Sequence, residues 1–380
     1  MGRQSIPFMA AKRLAPSLVA ASWLALSGFA PEPRADLAYD MAVLGDGAGS
    51  AYPPVEPGGQ YPPEERERVT PPAATPPPPR AAAPRKTSWT LSVDASVTGD
   101  SNITGGTSLD AIAIDTGAGP APVPVDPAFR AKASIGLGAS AAAGVRAPVS
   151  KTVSLAFDAE GYALRYPDSP GANDSSALAA AGIAVADGQS SGILQFTAYD
   201  RWYGGASASR GFGLRGNWRQ AIGSGQHVGL YVDARVFESD WGDALTGRSA
   251  SAFLSYDATL DPTTTAAGGL YLRRDWMHDD AFSNAELGGY VSLTHYLSST
   301  VTGGISAGLG RSEYDSPLVY LSPEARRDWR AYASLWLTAR KPVALGLYPS
   351  LTYTYGRTSS NIAFYRSDRH RLRLGVSRSF

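Results

Sequence analysis

Trp89-Thr-Leu-Ser-Val-Asp-Ala-Ser-Val97 decides the fold: Trp89, Leu91, Val93, Ala95 and Val97 are apolar, while Thr90, Ser92, Asp94 and Ser96 between them are polar. A period of two puts the two sets on opposite faces of an extended strand, one greasy and one wet. The pattern recurs. Val153, Leu155, Phe157 and Ala159 alternate with Ser154, Asp158 and Glu160, and Val228, Leu230, Val232, Ala234 and Val236 alternate with Gly229, Tyr231, Asp233 and Arg235. Near the end, Leu345, Leu347, Leu351, Tyr353 and Tyr355 alternate with Gly346, Tyr348, Ser350, Thr352 and Thr354.

Strands of a soluble sandwich alternate too, but they average five or six residues. These segments run about ten residues or more, which is what a tilted strand needs to cross the hydrocarbon of a bilayer. Breaks rich in Gly, Asp and Pro separate them: Asp168-Ser-Pro-Gly-Ala-Asn-Asp174, Gly223-Ser-Gly-Gln226, Asp261-Pro262 and His278-Asp-Asp280. The spacing predicts an all-β fold, a transmembrane antiparallel up-and-down β-barrel of the outer-membrane type, with about 14 strands at roughly twenty residues per strand and loop. An even number returns both chain ends to the periplasmic side. Carboxylates and guanidinium groups on the polar face must then line a wet lumen. Asp94, Asp158, Glu160, Asp233 and Arg235 are the lumen-facing candidates, as a charge-selective constriction or as pairs across a plugged barrel.

Composition agrees. With 41 Gly, 19 Tyr and 8 Trp against 4 Met, aromatics and glycines punctuate a sheet-rich chain. Lys+Arg and Asp+Glu are both 34, so a phosphate-tracking nucleic-acid binder is disfavoured. The absence of Cys removes disulfides and thiolate metal sites, and it suits a chain that crosses an oxidising periplasm before folding. Past the N-terminus no run of about 18 apolar residues exists, which excludes a helical span. Trp202-Tyr203, Trp241, Trp276, Tyr314, Tyr320, Trp329, Tyr355 and Phe364-Tyr365 fall near strand ends, where a barrel places its interfacial aromatic girdles.

Before the barrel, Arg3, Lys12 and Arg13 precede the apolar stretch 14–30, which exits through Ser27-Gly28-Phe29-Ala30. Charged start, apolar middle and small-residue exit predict a Sec-type signal peptide over 1–35. Residues 36–86 carry Pro53-Pro54, Pro62-Pro63, Pro71-Pro72 and Pro76 to Pro79, which predicts an extended, disordered periplasmic linker. The barrel is expected over 87–380, as a monomer whose partners are outer-membrane lipid and the barrel assembly machinery. At its end, Leu372-Arg-Leu-Gly-Val-Ser-Arg-Ser-Phe380 alternates and stops on an aromatic, like the signal that assembly machinery reads on a last strand. Gly375 and Phe380 occupy that signal's glycine and aromatic positions. Arg378 departs from it.

Enzymatic chemistry finds little support. His227, His278, His295 and His370 are scattered singly, without metal-ligand spacing. Gly188-Gln-Ser-Ser-Gly192 and Gly304-Ile-Ser-Ala-Gly308 match a nucleophile-elbow pattern, but no amphipathic helix follows either. No cofactor and no metal are expected.

Two stretches exceed a generic barrel. The first strand runs into Asp100-Ser-Asn-Ile103, and the closing hairpin reads Arg357-Thr-Ser-Ser-Asn-Ile-Ala-Phe-Tyr365 before Asp368-Arg-His-Arg371. Both resemble the C-terminal barrel of the surface lipoprotein assembly modifier (Slam-like) family. The resemblance implies a fourteen-stranded barrel that moves a lipoprotein or secreted client across the outer membrane. It implies no catalytic residue, and it makes Asp100, Asn102, Asn361, Phe364 and Tyr365 barrel-closure positions. The family usually carries an N-terminal tetratricopeptide domain; here no 34-residue helical repeat precedes the barrel, and the proline-rich segment occupies that place. A passive diffusion porin for small solutes is the alternative reading.

Overall fold

The computed structural model describes residues 81–82, 86–115, 119–319 and 321–380. The expected signal peptide, nearly all of the proline-rich segment and Tyr320 lie outside the described residues. Fourteen strands form one antiparallel ring: β1 Ser88–Asp100, β2 Ser134–Pro148, β3 Val153–Arg165, β4 Asp174–Gly188, β5 Ser190–Tyr203, β6 Ala206–Gly223 and β7 Gln226–Ser239, then β8 Gly247–Asp261, β9 Thr264–Met277, β10 Asn284–Tyr296, β11 Val301–Tyr314, β12 Arg327–Ala339, β13 Tyr348–Ser360 and β14 Ser367–Ser379. Each strand pairs with its neighbours in sequence, and β14 closes the ring onto β1. The strands run from 13 to 18 residues. No helix among the described residues is long and apolar enough to cross a membrane, which leaves the crossing to strands.

The alternation translates directly into faces. Trp89, Val93 and Val97 of β1 and Leu230, Val232 and Val236 of β7 are exposed on the outer wall, whereas Thr98, Tyr231 and Asp233 are buried inside. Phe196 on β5 is 72% exposed and Phe212 on β6 is 68% exposed. A belt of naked aromatic and branched side chains of this size is untenable in water and is what lipid solvates.

One alternation ends early. The strand expected from Leu345 begins only at Tyr348, because Leu345 and Gly346 take positive φ (61° and 72°) in a turn.

The two rims differ in their connections. One joins strands through 149–152, 189, 224–225, 262–263, 297–300 and 340–347, and it also holds the start of β1 and the end of β14. The other carries 101–133, 166–173, 204–205, 240–246, 278–283, 315–326 and 361–366. Short turns mark the periplasmic side of such barrels and longer loops the outer side. Within 101–133 a small hairpin pairs Ala111–Asp115 with Pro120–Pro124.

Candidate functional site: the lumen and its outer mouth

The lumen is a ladder of ion pairs running along the wall. Asp158 on β3 accepts two hydrogen bonds from Arg146 on β2 (2.8 and 3.0 Å) and one from Gln195 on β5 (2.6 Å). Gln195 in turn accepts from Arg215 on β6, which also donates to Glu160 (3.0 Å). Asp233 accepts from Arg235 at 2.8 Å, and Arg235 lies over the Tyr199 ring. Asp94 pairs with Arg373 of β14. Thus each carboxylate that the alternation singles out carries a guanidinium partner, and Arg235 carries the Asp233 carboxylate. The pairs run through further residues without a sequence signal of their own: Arg219 and His227 on Asp257, Arg273 and Asn284 on Asp275, and Arg330, Tyr271 and Ser312 on Glu286. A buried charge persists only when paired and hydrogen-bonded in this way.

Between the charges, aromatics lie across glycines. Phe253 and Tyr290 stack at 5.5 Å between centroids, with Tyr231, Tyr271 and Tyr332 packed around them. A Cβ at Gly288 would meet the Tyr271 ring at 2.4 Å, one at Gly308 the Tyr332 ring at 2.3 Å, and one at Gly304 the Trp336 ring at 2.1 Å. Gly304-Ile-Ser-Ala-Gly308 is therefore not a nucleophile elbow. Its glycines face the lumen from mid-strand β11 and make room for rings from β12. Gly188, at φ 93°, ends β4 in the other matching stretch, a strand-to-strand turn with no helix after it.

Above the ladder the loops meet over the mouth. Leu245, Phe282, Leu318, Ile362 and Tyr365, from four different loops, pack into one apolar cluster. Ile103, Leu164, Tyr166, Ala172, Tyr203 and Ala208 form a second. Trp241 touches both and meets Tyr203 edge-on at 5.8 Å, while Phe364 meets Phe129 of the first loop at 6.0 Å. Six of the seven connections of this rim thus contribute to one apolar cap, and the strand ends beside the seventh, Tyr203 and Ala208, join it. Tyr203, Trp241, Tyr314, Phe364 and Tyr365 belong to the cap or to the charges beneath it, not to a lipid-facing girdle. Sequence position near a strand end does not reveal which way a loop folds. Trp276 (38% exposed) and Trp329 (48%) do face outward near that rim, each beside an arginine: Arg248 and Arg274 over Trp276, Arg311 over Trp329.

The two motifs hold the cap down. Asp100 is wholly buried as a side chain, pairs with Arg369 and Arg371 of β14, and accepts from the Asn102 amide (2.9 Å) and the Tyr166 hydroxyl (3.3 Å). The Asn102 side chain donates to Gly106 O at 2.9 Å and to Asp368 O at 3.5 Å, which ties the first loop to the last hairpin. Asn361 leans the other way: its amide donates to Ala325 O (3.0 Å), and its oxygen accepts from the Arg327 amide (2.7 Å). Tyr365 lies under the Arg326 guanidinium, 3.6 Å from ring centroid to Cζ, and Arg326 donates to the fully buried Asp328 at 3.0 Å. So Asp100 and Asn102 sit where the first and last strands meet, while Asn361 and Tyr365 bind the loop before β12. At the far rim, Phe380 exchanges backbone hydrogen bonds with Leu91 of β1 (2.8 and 3.4 Å), and Arg378 lies 4.3 Å over its ring. Gly375 faces inward, where a Cβ would meet Ser350 Oγ at 2.9 Å. Among the described residues no cluster of His, Asp and Glu suits a metal ion.

A closed ring of lipid-facing strands with a paired polar lumen defines an outer-membrane β-barrel. The family model for the surface lipoprotein assembly modifier matches residues 89–380, the whole of the barrel but its first residue. The chain belongs to the surface lipoprotein assembly modifier family, an outer-membrane barrel family and not one of enzymes. A comparison with curated proteins gave no match. Among solved structures the chain is similar to the outer membrane protein OprD from Pseudomonas aeruginosa (12% identical, covering 77% of this chain and 93% of that one, TM-score 0.37). It is also similar to the outer membrane channel DcaP of Acinetobacter baumannii (10% identical, 77% and 97% covered, TM-score 0.42) and to CdiB from Acinetobacter baumannii (13% identical, 76% and 60% covered, TM-score 0.40).

Proposed function

We propose that this barrel moves a lipoprotein client across the outer membrane to the cell surface. The family match over the barrel carries the reading. The paired charges on the lumen wall and the loops packed against one another at one rim are compatible with it. Asp94, Asp158, Glu160, Asp233 and Arg235 serve in this reading as wall contacts that hold the lumen together and present a polar, charge-balanced surface to a passing chain. Gly375 and Phe380 serve assembly. Deletion of Phe380 is expected to lower the amount of heat-modifiable barrel while leaving export to the periplasm intact.

The test is a deletion strain. Surface proteolysis with quantitative mass spectrometry is expected to show at least one lipoprotein that stays at its normal total level but loses accessibility from outside. Unchanged accessibility of every lipoprotein would sink the reading. Large, steady single-channel conductance in liposomes, with selectivity altered by neutralising Asp94, Asp158 and Glu160, would establish a pore in its place.

A further inference from the structure

If a chain enters the lumen from the short-turn rim, it meets loops packed together at the other rim, and a joint in the wall would offer a second way out. The fourteen joints are not equal. Between β14 and β1 only nine residue pairs are in register, from Arg371–Asp100 to Ser379–Ser92. Every other joint has between eleven pairs, as in β12–β13 and β13–β14, and fourteen, as in β5–β6, β6–β7 and β8–β9. At the short-turn end Ser88, Trp89 and Thr90 of β1 pair with Arg146, Val145 and Gly144 of β2, but no β14 residue stands opposite them. Beyond Ser92, only the Leu91–Phe380 exchange continues the joint. Among the described residues Ser88 to Thr90 therefore have no β14 partner, and an unpaired strand edge is the feature to which extended peptides add.

What holds the joint is different as well. The lumen side is clamped by charge: Arg369 and Arg371 on Asp100 near the mouth, Arg373 on Asp94 further down. The lipid side offers Leu372, Leu374 and Val376 beside Val93 and Val97, all exposed, and on the lumen side the aromatic cluster of β7 to β12 includes no residue of β1 or β14. Asp100 is wholly buried, so parting it from Arg369 and Arg371 requires other charges in their place, which a passing charged chain can supply.

We propose that the β1–β14 joint is an openable seam through which an extended client segment leaves the lumen sideways, adding edge to edge along β1. This rests on the proposed client translocation and specifies its route. A lipoprotein adds a chemical reason. Its acyl chains belong in hydrocarbon, and the ion-paired lumen is hostile to them. A lateral seam lets the polypeptide travel through the lumen while the acyl chains pass directly into the bilayer.

The absence of cysteine from the sequence makes the test direct. Val97→Cys with Leu374→Cys sits across the seam on the lipid side, in register. Trp218→Cys with Leu230→Cys sits likewise across β6–β7 and is the control. In cells, oxidising the seam pair is expected to reduce surface delivery of the affected lipoprotein to the level of the deletion strain. Reduction restores delivery, and the control pair leaves it unchanged. Full delivery with the seam bridged overturns the lateral route.

A second arm needs no client. The full chain in lipid vesicles is offered a synthetic peptide copying residues 367–380, with a photoreactive residue in place of Leu372. Cross-links to β1 that vanish on bridging the seam, return on reduction and increase in an Asp94→Asn, Asp100→Asn variant are the expected result. No cross-link to β1, or equal cross-linking with the seam bridged, overturns the openable seam. If the deletion strain delivers every lipoprotein normally, the client reading falls, and the peptide arm still decides whether the seam opens.

Discussion

The two rims of this barrel solve the same problem, turning a chain between antiparallel strands, by opposite means. At the short-turn rim four of the six turns are closed by side chains of their own residues. Ser150 Oγ accepts from the Thr152 and Val153 amides, Asp187 from Gln189 and Ser190, Asp261 from Thr263, and Ser298 from Thr300 and Val301. The side-chain bonds that close such turns span only two or three residues. At the other rim no loop stands alone. Leu245 needs Ile362 from across the mouth, Asn102 needs the last hairpin, and Asn361 needs the loop before β12. The comparison teaches where a barrel keeps its information: one rim folds locally, the other only after the ring has closed.

The largest test of this contrast is Asp328→Ala. Asp328 is fully buried beneath the cap and its removal strands Arg326, so a loss of about 3–5 kcal/mol is expected, read as a lower urea midpoint of the folded barrel in detergent. A shift within error would mean that the cap is not coupled to the wall. Next comes Ile362→Ala, which opens a cavity in the cluster that joins four loops; it should cost about 2–4 kcal/mol and raise protease cleavage in 240–246 and 315–326 as well as in its own loop. Cleavage confined to 361–366 would show that the loops fold independently.

Gly308→Ala probes the lumen between the rims. Its Cβ would collide with the Tyr332 ring, so a destabilisation of about 1–3 kcal/mol is expected together with altered tyrosine near-ultraviolet circular dichroism. The smallest effect belongs to the short-turn rim. Ser298→Ala removes one exposed turn acceptor and should shift stability by no more than about 0.5 kcal/mol, with no change in proteolysis of any other turn. An effect as large as that of Ile362→Ala would erase the distinction between the rims.

Much of the fold is legible without coordinates. Trp89 to Val97 and Val228 to Val236 announce their lipid and lumen faces because side-chain direction in a strand depends only on parity. Glycine- and aspartate-rich breaks set strand number because turn chemistry is local. Parity likewise proposes Asp94, Asp158, Glu160, Asp233 and Arg235 as lumen residues. Their partners are not legible. Arg215 meets Glu160 across two intervening strands, and nothing in 55 residues of separation announces it. Leu345 also misleads, since parity carries the pattern into a turn that positive φ ends.

What the sequence by itself determined is therefore everything with a short range: alternation, hence faces; breaks, hence turns and strand count; and the motifs Asp100-Ser-Asn-Ile103 and Ser360-Asn-Ile-Ala-Phe-Tyr365, hence family. The tertiary structure alone decided that aromatics at strand ends split between lipid belt and cap, that the GxSxG glycines lie beneath rings of the next strand, that the lumen charges cancel in pairs, and that the ring closes through its shortest joint. The physical reason is common to all four. Each depends on which residues ring closure brings opposite one another, and closure joins Asp100 to Arg369 across 269 positions of chain that no local period connects.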